Sequence, residues 1–327
     1  MRLRALFTLL LAIPLLAACG SSSPSADHTL VLVTHDSWAL PKKLIAQFEQ
    51  ESGLTLEVVA NGDAGQLTNK LVLTAGDPLG DVSFGVDNTF LGRATSAGVY
   101  DGSPTAVDHS EVCVDYDKAW FAAHHLAPPT GLADLTEPRY KDLMVTEGAS
   151  TSSPGMAFLL ATIAYADRVK GLDYSWQTYW KALLANGLQV DDSWDQAFDV
   201  DFTQGGGHGD RPIVVSYDSD PAYAIEHGRS LIGVVPDTCF GEIEYAGVLA
   251  GAANPKGARE FVHWLLSPAV QRALPGSMYV YPVVKGTPLP ASWAKFAVQP
   301  AHVLTVPSAE IDENRDEWLQ QWTSITQ

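Results

Sequence analysis

Five short stretches of this chain carry hydroxyls, four of them with aromatic rings and three with acids as well. They are Asp36-Ser37-Trp38, Thr151-Ser152-Ser153-Pro154-Gly155, Asp192-Ser193-Trp194-Asp195, Ser216-Tyr217-Asp218-Ser219-Asp220-Pro221-Ala222-Tyr223 and Gly276-Ser277-Met278-Tyr279-Val280-Tyr281-Pro282. An ionised carboxylate accepts strongly from a cationic donor, and an aromatic face attracts a positive ring. Together these groups suit a flat, cationic ligand. A lone aromatic is usually a core residue, but several in loops beside Asp and Ser ask for another reason. The Thr151–Gly155 stretch precedes a very apolar run. Its hydroxyls and free N–H groups make either an anion site at a helix start or a plain N-cap with proline at the first helical position.

The elements that must position these loops alternate. Residues 29–34 read as a strand, Pro41 opens a helix with Leu44, Ile45 and Phe48 on one face, and Gly53 ends it. Strands over 54–60 and 82–86 flank a helix over 66–75 with Leu67, Leu71 and Val72 inside. This βαβαβ order predicts a parallel sheet with helices on its faces, and ligand pockets in such sheets form outside the strands' carboxyl ends. The loops at Asp36, Asp63 and Asp87 lie there. The middle repeats the style, with strands over 111–116, 143–147, 213–217 and 231–235 and helices over 117–125, 156–170 and 176–185. The chain returns through 242–250, a helix over 255–266 and a helical tail rich in Trp and Glu. Gly205-Gly206-Gly207-His208-Gly209 lacks the lysine and the strand-to-helix setting of a phosphate-binding loop, so it reads as a surface connection.

Composition narrows the class. The chain has 46% apolar and 18% charged residues, as a compact globular protein does, and its length suits two lobes. Acids outnumber bases 38 to 20, for a formal charge of -18, the wrong sign for a nucleic-acid binder. The start is different. Arg2 and Arg4 precede an apolar run over 6–16 that leads into Leu16-Ala17-Ala18-Cys19-Gly20. That pattern resembles a bacterial lipoprotein signal, with residues 1–18 removed, Cys19 lipidated and residues 19–28 a Ser-rich tether. It predicts an extracytoplasmic protein anchored to the cell membrane. Cys113 and Cys239 are then an even pair in an oxidising compartment, which predicts a disulfide between them.

Several blocks carry a resemblance in order along nearly the whole mature body. They include Thr34-His35-Asp36-Ser37-Trp38, Asn69-Lys70-Leu71, Gly85-Val86-Asp87-Asn88 and Val114-Asp115-Tyr116-Asp117-Lys118. Thr151–Gly155, Ser193-Trp194, Ser216-Tyr217, Pro221-Ala222-Tyr223 and Tyr281-Pro282 continue the series. The chain resembles the thiamine-binding proteins of bacterial ABC importers, within the class II periplasmic binding proteins. The resemblance implies an α/β fold of two lobes, each a mixed sheet flanked by helices, with the ligand cleft between them. Lobe I is expected over 29–112 and 240–327, and lobe II over 113–239. By position, Asp36 implies the acid that meets an aminopyrimidine and Asp63 a second acid, with Ser37 among the ligand-binding residues. Tyr223 implies a stacking ring, and Ser153, Gly155, Trp194 and Tyr217 the surroundings of a phosphate end. Tyr279 stands where the family carries a tryptophan, which keeps an aromatic face there.

The expected role is that of a monomeric solute-binding lipoprotein. It would take thiamine or thiamine mono- or diphosphate, use no cofactor or metal, and hand its ligand to the permease subunits of an ABC transporter. In the same fold a polyamine or ferric-iron binder is the alternative. Iron sites of this class usually show adjacent tyrosines, and none occurs here. A hydrolase would need a nucleophile with a base. No GxSxG is present, and His124 and His125 have no nucleophile near a strand end.

Overall fold

The computed structural model describes residues 28–169 and 175–327. The signal segment, Cys19 and the tether up to residue 27 lie outside the described residues. β1 (Thr29–Thr34) carries Leu30, Leu32 and Val33 into the core, as a strand covered on both faces must. It pairs in parallel with β2 (Thr55–Ala60) on one side and β3 (Val82–Asp87) on the other. α1 (Lys42–Ser52) stops at Gly53, whose φ of 72° closes the helix in the left-handed conformation. α2 (Ala64–Leu73) starts at Asp63, whose side chain accepts from the Ala64 N–H, and α3 (Leu91–Ser96) follows β3.

β4 (Thr105–Asp117) then crosses to a second, similar unit, followed by α4 (Lys118–Ala123). β5 (Met144–Glu147), α5 (Ser153–Arg168), α6 (Trp176–Ala185) and β6 (Gln189–Asp191) come next. A π-helical turn (Asp195–Asp201), β7 (Ile213–Tyr217) and a small hairpin of β8 (Ile225–Glu226) and β9 (Arg229–Ser230) complete it. α5 buries residues on every side, as a helix apolar all round must. β10 (Ile232–Val248) crosses back. α7 (Pro255–Leu265), α8 (Pro268–Ser277), β11 (Tyr281–Pro282), α9 (Ala291–Phe296) and α10 (Ser308–Thr326) end the chain.

The strand order is β2-β1-β3-β10-β4-β7-β5-β6, with β11 beside β4. Each half repeats one plan: three parallel strands, the first in the middle, and then a long antiparallel strand. The two long strands pair with each other and join the halves. This is the expected two-lobed α/β fold. α10 lies against both halves: Trp322 meets Trp180 of α6 edge-on at 5.6 Å, and Ile311 and Trp322 are buried in the largest core cluster.

Two expectations change. β4 begins at Thr105 rather than residue 111, because Asp108, His109 and Ser110 break the apolar pattern yet pair with β10. The strand expected over 231–235 does not stop there but runs on through Pro236 and a bulge into the returning segment at 242–248, all one strand, β10. Val114 pairs Val235 and Val112 pairs Phe240, so residues 236–239 stand opposite Cys113 alone. The predicted disulfide closes this bulge. Cys113 and Cys239 are bonded, both buried, with Cα atoms 4.1 Å apart and a sequence separation of 126. A loop of that length stabilises by roughly 5 kcal/mol in the chain-entropy picture. Breaking it by Cys113→Ser with Cys239→Ser should lower folding stability by about 2–5 kcal/mol in denaturant titration. A double variant as stable as the parent would contradict this.

Candidate functional site

A cavity of about 50 Å³ sits between the two halves, walled by His35, Ser37, Asp63, Ala64, Ser153, Trp194, Tyr217, Glu244, Met278, Tyr279 and Val280. β1, β2 and their loops supply one wall, and Glu244 comes from β10. The turn after β6, the start of α5 and the end of β7 supply the other. Six of the nine predicted ligand residues meet there: Ser37, Asp63, Ser153, Trp194, Tyr217 and Tyr279.

Asp63 caps α2 and reaches across the cavity, accepting from Trp194 N–H at 2.9 Å. Ser37 Oγ donates to Asp195 Oδ1 at 2.8 Å, and Ser153 Oγ donates to Asp87 of β3. The N–H groups of Gly65 and Gln66, at the start of α2, donate to the Thr151 carbonyl at 2.9 and 3.2 Å. These bonds join the halves around the cavity. Gly65 permits the approach: a Cβ there would lie 2.6 Å from the Ser150 carbonyl oxygen.

The aromatic wall is held on its outer side. Trp194 stacks on Phe198 at 4.8 Å, and its Nε1–H donates to the buried Ser216 Oγ at 2.9 Å. Tyr217 lies 6.1 Å from Trp194, and its hydroxyl donates to Glu242 at 3.5 Å. Tyr279 sits in the left-handed region at φ 57°, its carbonyl accepting from Ser219 Oγ at 2.6 Å.

The other three predicted residues stand apart. Asp36 is exposed and its carboxylate accepts from Gly62 N–H at 2.9 Å, which ties the β1 and β2 loops together. Gly155 is buried within α5, where a Cβ would lie 2.6 Å from the Glu147 and Gly148 carbonyl oxygens. Tyr223 is 40% exposed, edge-on to Phe198 and Tyr279 outside the cavity. Sequence reasoning missed His35 and Glu244. Both are buried, and His35 Nε2 lies 3.1 Å from Glu244 Oε1.

The cavity is strongly acidic. Burial pulls the His35 imidazole down, but the Glu244 carboxylate reverses this with help from Asp63 and Asp195, and the net shift is upward. Burial raises Glu244, but the His35 charge and a hydrogen bond from Asp108 hold it below its ordinary range. Burial, then the Glu244 and Glu242 charges, push Asp108 well up. Burial likewise raises Asp63, Asp87, Glu147 and Glu242. Behind Tyr217, burial moves Asp218 to about 8 and Asp220 to about 7. Among the described residues, no group of three or more His, Cys, Asp or Glu is arranged to hold a metal ion.

These carboxyls keep protons in the folded protein that the unfolded chain gives up near pH 4. The folded state therefore binds more protons between about pH 4 and pH 8, and stability falls as pH rises through that window. The raised His35 acts in the same direction, and Glu244 acts only below its ordinary range. The thermal midpoint should be highest in mild acid and fall toward pH 8, less steeply in Asp218→Asn. A midpoint that rises over this window would contradict the buried-acid account.

Comparison with known proteins gives a consistent result. The sequence family of bacterial extracellular solute-binding proteins matches residues 86–314. The chain is 28% identical to the thiamine-binding periplasmic protein of Escherichia coli (strain K12), over 95% of this chain and 97% of that one. It is 27% identical to the protein of the same name from Brucella suis biovar 1 (strain 1330), over 97% of this chain and 98% of the relative. A solved structure described as a periplasmic thiamin binding protein superposes with a TM-score of 0.79 at 25% identity, covering 91% of this chain and 96% of the other.

Proposed function

The chain belongs to the bacterial extracellular solute-binding proteins, and on that premise we propose that it captures thiamine outside the cytoplasm and delivers it to an ABC transporter. The observation that carries this reading is a cavity with aromatic walls at Trp194, Tyr217 and Tyr279, ringed by buried carboxylates, with one basic side chain facing them. Thiamine brings a permanently positive thiazolium and an aminopyrimidine rich in donors. Asp63 and Glu244 are the acids that answer them, and the rings supply flat contact. The names of the full-length relatives support the same ligand.

The fold suggests how capture works. A cavity of about 50 Å³ has room for a few waters, and a two-ring ligand needs its walls to part. The lobes would separate by bending at β4 and β10, with the change of lobe at 112/113 and 239/240, where the register breaks. Closure would re-form the bonds of Asp63, Ser37 and the α2 N-terminus across the cleft, and the permease would recognise the closed form. Ser153 at the start of α5 is the group we assign to a phosphate end. Asp36 would act indirectly, by holding the loop that carries Ser37. Lipidation at Cys19 would keep this monomeric trap beside its transporter. No covalent step is involved.

The test is calorimetric titration of the purified protein with thiamine, its mono- and diphosphate, spermidine and ferric citrate. Thiamine should bind at micromolar concentration or better, on the order of -8 kcal/mol. Trp194→Ala should weaken it by roughly ten- to a hundredfold by removing a ring face. Gly65→Ala should weaken it comparably while folding normally, because its Cβ blocks closure. No thiamine response below millimolar concentration would overturn the reading.

A further inference from the structure

His35 is the sole basic residue among those lining the cavity. Its site is built for it. Gly85 of β3, at φ 96°, leaves bare backbone under the imidazole, where a Cβ would lie 2.0 Å from His35 Cδ2. The Phe84 ring covers it at 5.6 Å. Charged groups reach it from three elements: Glu244 of β10 at 3.1 Å, Asp63 at the start of α2, and Asp195 at the π-helical turn. Asp108 of β4 acts on it through Glu244, and β3 places Phe84 and Gly85 against the ring with no charge. His35 Nε2 and the Glu244 carboxylate form a buried charge pair.

Without ligand, a neutral His35 would leave Glu244 a buried carboxylate with no counter-charge, so the imidazole is held in its charged form. A cationic ligand enters the same small cavity and meets the same acids. Two positive charges side by side there repel, and only the histidine can shed its charge. We propose that the His35 imidazolium is the resident cation of the cleft and that the ligand's positive ring replaces it, so that capture exchanges one cation for another. The Nε2–H bond of His35 breaks, its electron pair stays on the nitrogen, and the proton passes to solvent. The site's net charge is unchanged. This inference rests on the thiamine reading and adds that His35 tunes the cleft toward cations.

The test follows the histidine ring signals of the native protein by NMR, with ¹³C-labelled histidine, from about pH 5.5 to 8.5, free and saturated with thiamine. The His35 signal is the one missing from His35→Gln. If that variant does not fold, it is the one whose midpoint falls in free Glu244→Gln. Saturation should lower the His35 midpoint by about one pH unit or more, a tenfold change in proton affinity. Calorimetry at pH 7 in buffers of different ionisation enthalpy should show net proton release. A midpoint unchanged or raised by bound thiamine overturns this inference alone. Failure of thiamine to bind at any pH overturns the proposed function, and this inference with it.

Discussion

A carboxylate removed from water must be paired, hydrogen-bonded or protonated. The centre of this protein buries far more carboxylates than it has bases to match. Asp87, Asp108, Glu147, Glu242 and Glu244 are all buried near one cavity, and His35 alone answers them from its wall. Most of the acids meet the constraint by holding protons. Glu244 meets it through His35 and Asp108. Glu244 is the carboxylate that stays charged at the cavity wall, and it sets the sign of what the cleft attracts. The other acids make the folded state lose stability as pH rises, which is the cost of crowding them around the cleft.

The fold makes that concentration possible. β4 and β10 run through both halves and pair along their length, so Asp108, Glu242 and Glu244 come to the middle of the sheet, where the cleft opens. The bulge opposite Cys113 interrupts the pairing at the crossing point, and the disulfide closes the interruption. A bulged, unpaired stretch bends more easily than a continuous ladder. In the proposed opening, the covalent link would keep the two crossing strands together while they bend. The cleft wall and the proposed hinge are thus parts of the same two strands.

Much of the fold was legible in the sequence. β1, α1, β2, α2 and β3 fall within two residues of their expected bounds, because apolar periodicity, Pro41 and Gly53 mark them. β4 and β10 were harder. Their polar residues face a buried cleft, so Asp108 and His109 look like a loop, and Pro236 looks like a turn. The site divides the same way. Acids and aromatics in loops were found, and Ser37, Asp63, Ser153, Trp194, Tyr217 and Tyr279 line the cavity. Glu242-Ile243-Glu244 alternates like a strand with a wet face, yet its acids are the buried side and Ile243 is less covered. His35 stands beside Asp36, but its burial depends on Gly85 of the neighbouring strand. Which of two adjacent residues faces inward is decided by β3, far away in sequence.

The central claim is that this cleft selects its ligand by positive charge. The most direct measurement is the ratio of dissociation constants for thiamine and for its uncharged isostere with a thiophene in place of the thiazolium. The two have nearly the same shape and differ by one charge. The account predicts that thiamine binds at least about a hundredfold more tightly at pH 7 and that salt narrows the gap only slightly, because the acids are buried. Equal affinities for the two would contradict it.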